Sequence, residues 1–137
     1  MRILNISAQK PDSTGSGTYL AALVASQIAA GHEAAVLCGA APGDTQGELD
    51  SAARVFAVPF ETPELPFCIC GMSDVMPYPS TRYCELTPTM AASFERAFGA
   101  AIDRAIAVFK PDAIICHHLY LLCALVRERV RGIPVCG

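Results

Sequence analysis

The feature that most constrains this chain is an N-terminal unit packed into residues 2–39. "RILNI", residues 2–6, is a short aliphatic run of the kind that forms a buried strand. "TGSGTYL", residues 14–20, follows with two glycines around a serine. From about Gly17 to Ala30 the apolar residues Leu20, Leu23, Val24 and Ile28 recur at three- and four-residue spacing, one face of a helix. Gly31 is a stop signal after it, and "HEAAVLCG", residues 32–39, reads as a second strand. Strand, glycine loop, helix, glycine, strand is the first half of a doubly wound α/β fold.

The rest of the chain extends that pattern. "RVFAVPF", residues 54–60, predicts a third strand. A helix is expected from Thr87-Pro88, with threonine as N-cap and proline in the first turn, to Lys110-Pro111-Asp112. Its apolar stripe is Met90, Phe94, Phe98, Ile102, Ile106 and Phe109. "AIIC", residues 113–116, is a fourth strand ending at His117-His118, residues 119–130 are helical, and "IPVCG" begins a fifth strand. The expected fold is therefore α/β, a Rossmann-like open parallel sheet of about five strands in the order 3-2-1-4-5 with helices on both faces. Residues 59–88 stand apart as a long loop insertion, rich in Pro, Cys and Tyr and without periodicity. Loops of that length are commonly lids or binding loops. Here Tyr78 and Arg82 are candidate substrate-binding groups, beside Ser80, Thr81 and Tyr83.

Composition narrows the function classes. The chain has 137 residues, the size of one domain, with 53% hydrophobic and 17% charged residues. That apolar surplus suits a sheet covered on both faces and argues against disorder. A net charge of −3 gives no basic surface to follow a phosphate backbone, so no nucleic acid partner is expected. The longest apolar stretch, residues 19–30, is too short to span a bilayer, and the N-terminal run is too short for a signal peptide, so a cytoplasmic location is expected. The seven cysteines are odd in number and scattered, which is not a disulfide framework. Cys68 and Cys70 lack a second paired set, so they read as reduced structural residues and no metal is expected.

The chemistry is expected beyond the carboxyl ends of the strands, where helix N-termini point. The first helix offers unpaired N–H groups and about half a positive charge there. Gly15, Ser16 and Gly17 are the candidate anion-binding residues: the glycines allow positive φ and close approach of a phosphate, and Ser13, Thr14, Ser16 and Thr18 add hydroxyls. A tight strand-to-helix turn with a Ser or Thr N-cap accounts for the same residues without a ligand. His117 and His118 should open into the same crevice, because the fourth strand should pair with the first. One can be structural while the other faces a ligand as hydrogen-bond donor or acid/base group. His32 and Asp112 read as structural residues at the far edge and in a turn.

Three segments carry a resemblance: "AAGHEAAVL", "KPDAIICHHL" and "RGIPVCG", in this order and at this spacing. With the glycine loop, they make the chain similar to the N-terminal domain of family 4 glycosyltransferases of the GT-B type, over residues 1–58 and 105–137. That resemblance implies two Rossmann-like domains, of which this is the acceptor-side half. It implies transfer of a sugar from a nucleotide-sugar donor to a sugar or lipid-linked acceptor, typically with retention, and no cofactor beyond the donor itself. It places the glycine loop near the donor diphosphate and His117, with His118 second, near the transferred sugar as the catalytic candidates. The own C-terminal domain would be a partner, and the full-length enzyme would associate peripherally with membranes. Many members have adjacent glycines where this chain has Gly15-Ser16-Gly17, which leaves open which glycine meets the diphosphate. An emerging strand at residue 137 points to a longer protein, whose C-terminal donor domain is absent here, and this half alone is expected to be inactive. The alternative is a non-catalytic Rossmann-like or flavodoxin-like module that binds a ligand or partner, and a nucleotide-sugar epimerase is a third reading.

Overall fold

The computed structural model describes residues 1–11, 14–44, 47, 49–118 and 120–137. In chain order the elements are β1 (Arg2–Ile6), α1 (Gly15–Ala29), β2 (Glu33–Ala40), β3 (Arg54–Pro59), β4 (Cys70–Gly71), β5 (Thr81–Arg82), a 3-10 turn (Tyr83–Glu85), α2 (Pro88–Phe109), β6 (Ala113–Cys116), α3 (Leu121–Arg129) and β7 (Val135–Cys136). Five strands form one sheet in the order β3-β2-β1-β6-β7, and every pair in it is parallel. Counted without the two short strands, that is the order 3-2-1-4-5 expected from the sequence.

β2 explains why the apolar surplus is needed. Ala34, Val36 and Cys38 pack with Leu20, Ala21 and Val24 of α1, whereas Ala35 and Leu37 join the larger core under α2 and α3. Successive residues of a strand point to opposite faces, so a strand covered on both sides must be apolar throughout. Helices therefore cover both faces of the sheet. Gly39 has a separate reason. A Cβ there would fall on the carbonyl oxygen of Ala8, because the chain leaving β1 crosses directly over the end of β2. On the larger side Phe94 and Phe98 of α2 stack with ring centroids 4.3 Å apart, and Phe60 packs against both.

Helix ends follow local chemistry. Thr87 caps α2 through its side chain, which accepts from the Met90 amide, and Pro88 occupies the first turn, as the sequence predicts. Lys110 ends that helix in the left-handed region at φ 51°, before Pro111. α1 begins at Gly15 rather than near Gly17, because the Thr14 hydroxyl accepts from the Gly17 amide at 3.1 Å and supplies the cap.

The stretch after Pro59 differs from the expectation of a loop without structure of its own. β4 and β5 pair in a small parallel ladder, and Leu65, Ile69 and Cys70 are buried in the main core. The segment shows no periodicity because it folds as consecutive turns. Only isolated residues point inward, and neither a helical nor a strand repeat results. Among the described residues no helix is long and apolar enough to cross a membrane.

Candidate functional site at the carboxyl edge of the sheet

β1 and β6 are neighbours, with Ile6 opposite Cys116. The ladder runs one residue further, since the His117 amide donates to the Ile6 carbonyl at 2.9 Å. β1 connects through α1 to β2 on one side, while β6 and β7 lie on the other. The strand order thus reverses between β1 and β6, the switch point at whose carboxyl edge open α/β sheets have their ligand crevice.

One wall is the β1–α1 connection. The Gln9 amide donates to Ser7 Oγ at 3.2 Å, Ser16 Oγ donates to Gln9 Oε1 at 3.3 Å, and the Thr14 and Ser16 hydroxyls are 2.9 Å apart. Gly17 is buried and its amide is taken by the Thr14 cap. Gly15 is exposed, and a Cβ on it would meet nothing within 4 Å. The expectation of positive φ at these glycines is corrected: neither Gly15 nor Gly17 is in the left-handed region, since both already belong to the first helical turn. What Gly15 supplies is bare backbone at the helix start, with the Gly15 and Ser16 amides unpaired among the described residues. Ser13 lies outside the described residues, and Thr18 uses its backbone amide to close the first turn on the Thr14 carbonyl.

The facing wall is the turn after β6. His117 lies against Tyr19 of α1, ring centroids 6.2 Å apart in an edge-on arrangement, and that tyrosine is 61% exposed at the mouth. His118 is in the left-handed region at φ 62°, and its carbonyl accepts from the Tyr120 amide at 2.7 Å and from the Cys123 thiol at 2.9 Å. Both imidazoles are half-buried. Burial pushes the pKa of each below the usual histidine value, and for His117 the neighbouring His118 adds to that effect. Both rings are therefore neutral near pH 7. His117 Nε2, His118 Nδ1 and Gln9 Nε2 are buried atoms with no partner among the described residues, and all three lie on this one edge of the sheet. Unmatched polar atoms cost stability, and in native proteins such groups gather where a ligand, water or conformational step completes them.

The segment after β3 reaches the same edge through its tyrosines. The Lys10 ammonium lies 5.3 Å from the Tyr78 ring centre and 2.5 Å from Asp44, so Tyr78 is brought to the β1–α1 connection. Tyr83 packs edge-on against Tyr120, which follows the histidine turn, at 4.3 Å. Arg82 is engaged elsewhere. Its guanidinium is bonded to Glu85 and lies 3.9 Å from Asp74, in a recess lined by Gly71, Ser73, Asp74 and Tyr83. His32 and Asp112 sit at the opposite, amino edge. His32 is near the N-terminal ammonium, and Asp112 accepts from the Arg2 amide at 2.7 Å. Among the described residues no three His, Cys, Asp or Glu side chains are grouped to hold a metal ion. Gln9, Lys10, Tyr19 and Cys123 are site residues that the sequence reading did not single out. The first two were accessible to it, because they directly follow a strand whose carboxyl end borders the crevice.

Comparison with known families decides the class. The profile described as a glycosyl transferase 4-like domain matches residues 14–137. The chain belongs to the glycosyl transferase 4-like family. The match opens at Thr14, the cap of α1, and runs through the histidine turn to the last residue, so it takes in the start of α1 and the histidine turn. No curated protein matches this glycosyl transferase 4-like domain at a significant level.

Proposed function

We propose that this glycosyl transferase 4-like chain is the acceptor-side half of a two-domain GT-B glycosyltransferase working in the cytoplasm. It takes the diphosphate of a nucleotide-sugar donor at the start of α1, and it receives a sugar or lipid-linked acceptor in the crevice. The observation that carries this reading is the open start of α1, with the Gly15 and Ser16 amides unpaired among the described residues, on the same sheet edge as two half-buried histidines.

The chemistry follows from charge. When the glycosidic bond to the diphosphate breaks, negative charge grows on the leaving phosphate oxygen. Helix amides and the positive end of the macrodipole are already aimed there and need no reorganisation. Gly15 is the glycine that meets the diphosphate in this reading, since Gly17 is buried and its amide is already used. A neutral imidazole of His117 accepts from or donates to a hydroxyl of the transferred sugar, with His118 behind it, and so orients the anomeric carbon. Retention at that carbon, peripheral membrane association of the whole enzyme and a C-terminal domain that completes the donor pocket belong to the same proposal. Tyr78, beside Lys10, borders the acceptor side. Arg82 serves the acceptor only if it leaves Glu85.

The test is His117→Ala, assayed for sugar transfer with the C-terminal domain that this reading requires. A loss of about 10²–10⁴-fold in kcat is expected. Unchanged transfer would remove His117 from the reaction, and turnover by the 137 residues alone would overturn the two-domain part of the proposal.

A further inference from the structure

We propose that Cys123 is a positioning residue for the histidine turn: its thiol, together with the Tyr120 amide, holds the His118 carbonyl and thereby fixes the directions of both imidazole rings. His118 is one of the few residues other than glycine with positive φ, and its Cβ disfavours that conformation. Glycine would adopt the turn without help, whereas histidine adopts it here because donors fix the peptide that follows. Two donors do so. The Tyr120 amide lies 2.7 Å from the His118 oxygen and the Cys123 thiol 2.9 Å from it, with the thiol 3.8 Å from the His117 oxygen as well. The thiol is the only side chain among the described residues that donates to either histidine carbonyl.

The clamp is also braced from below. Cys116 is the last residue of β6 and Cys123 lies in the first turn of α3, so they flank the turn in sequence. Burial pushes the Cys116 thiol up to about 12 and the neighbouring Cys123 adds to that shift, so the two thiols lie side by side. Residues on both sides of the turn thus meet under it, and the backbone between them has little room to rotate. Cys123 touches no ligand in this arrangement and acts through the peptide.

The inference rests on the reading that the histidines face the ligand, but its test does not depend on turnover. In the intact chain the ring C–H resonances of the three histidines are followed by NMR, with His32 at the opposite edge as internal control. In Cys123→Ala the His117 and His118 resonances should move while those of His32 stay. In Cys123→Ser they should return to their original positions, because a hydroxyl donates to the same carbonyl. Serine and alanine remove similar volume, so rescue by serine isolates the donor from packing. If alanine leaves all three histidines unmoved, or if serine moves them as far as alanine does, the inference is overturned. Should Cys123→Ala fail to fold, the serine variant alone decides, by matching or departing from the original histidine spectrum. Failure of the transferase reading would look different: His117→Ala would leave transfer intact, while the histidine spectra still followed residue 123.

Discussion

The fold acts on the protonation of His117 and His118 through burial. Burial disfavours their charged forms, so their folded pKa values lie below that of the unfolded chain. The sign follows. Between the two values the unfolded chain binds more protons than the folded one, so stability rises with pH there. Stability is therefore expected to be full above the unfolded value of 6.5 and to fall as pH drops from it toward the depressed folded values. Denaturant melts between neutral and mildly acidic pH check this. The double variant His117→Gln, His118→Gln should flatten that part of the profile, and an unchanged slope would contradict the burial account. At this scale the sequence was only partly legible. The position of the histidine pair at a strand end pointed to the crevice, because strand ends are where α/β sheets bind. Its left-handed kink and the Cys123 thiol beneath it were not legible, since both depend on how α3 returns against β6. Gly15 and Gly17 stood out both for close approach of a phosphate and for positive φ; the structure holds neither in a left-handed conformation, and Gly15 is exposed while Gly17 is buried.

Among the elements, the segment between β3 and α2 does the most that its sequence does not announce. It reads as an aperiodic loop, yet Leu65 and Ile69 are fully buried against the phenylalanines of α2. Periodicity detects regular elements, and this segment places single anchors between turns. Leu65→Ala should therefore destabilise the chain by about 2–5 kcal/mol, as for a leucine in a packed core. Chemical denaturation measures this, and a cost near that of a surface substitution would show that the segment does not belong to the core. The helices were more legible. Thr87-Pro88 and Gly31 are start and stop signals whose physics is local, and α2 begins and α1 ends beside them. The start of α1 was displaced by two residues because Thr14, not a later residue, provides the cap.

For the whole molecule, the order of the five strands was legible because it follows from a few rules: parallel strands joined by right-handed helical crossovers, each buried on both faces. That order places the switch point between β1 and β6 and so predicts one crevice. Neither the side chains that line it nor the tyrosines that reach it from the segment after β3 follow from those rules. On the proposed function, this crevice binds a diphosphate at the start of α1. The direct measurement is a titration of the chain with inorganic pyrophosphate and with nucleoside diphosphates, followed through backbone amide resonances. The Gly15 and Ser16 amides should shift first and saturate together with the histidine ring resonances, and Gly15→Val should abolish the effect. Saturating shifts centred on any other part of the surface, or none at the start of α1, would contradict it.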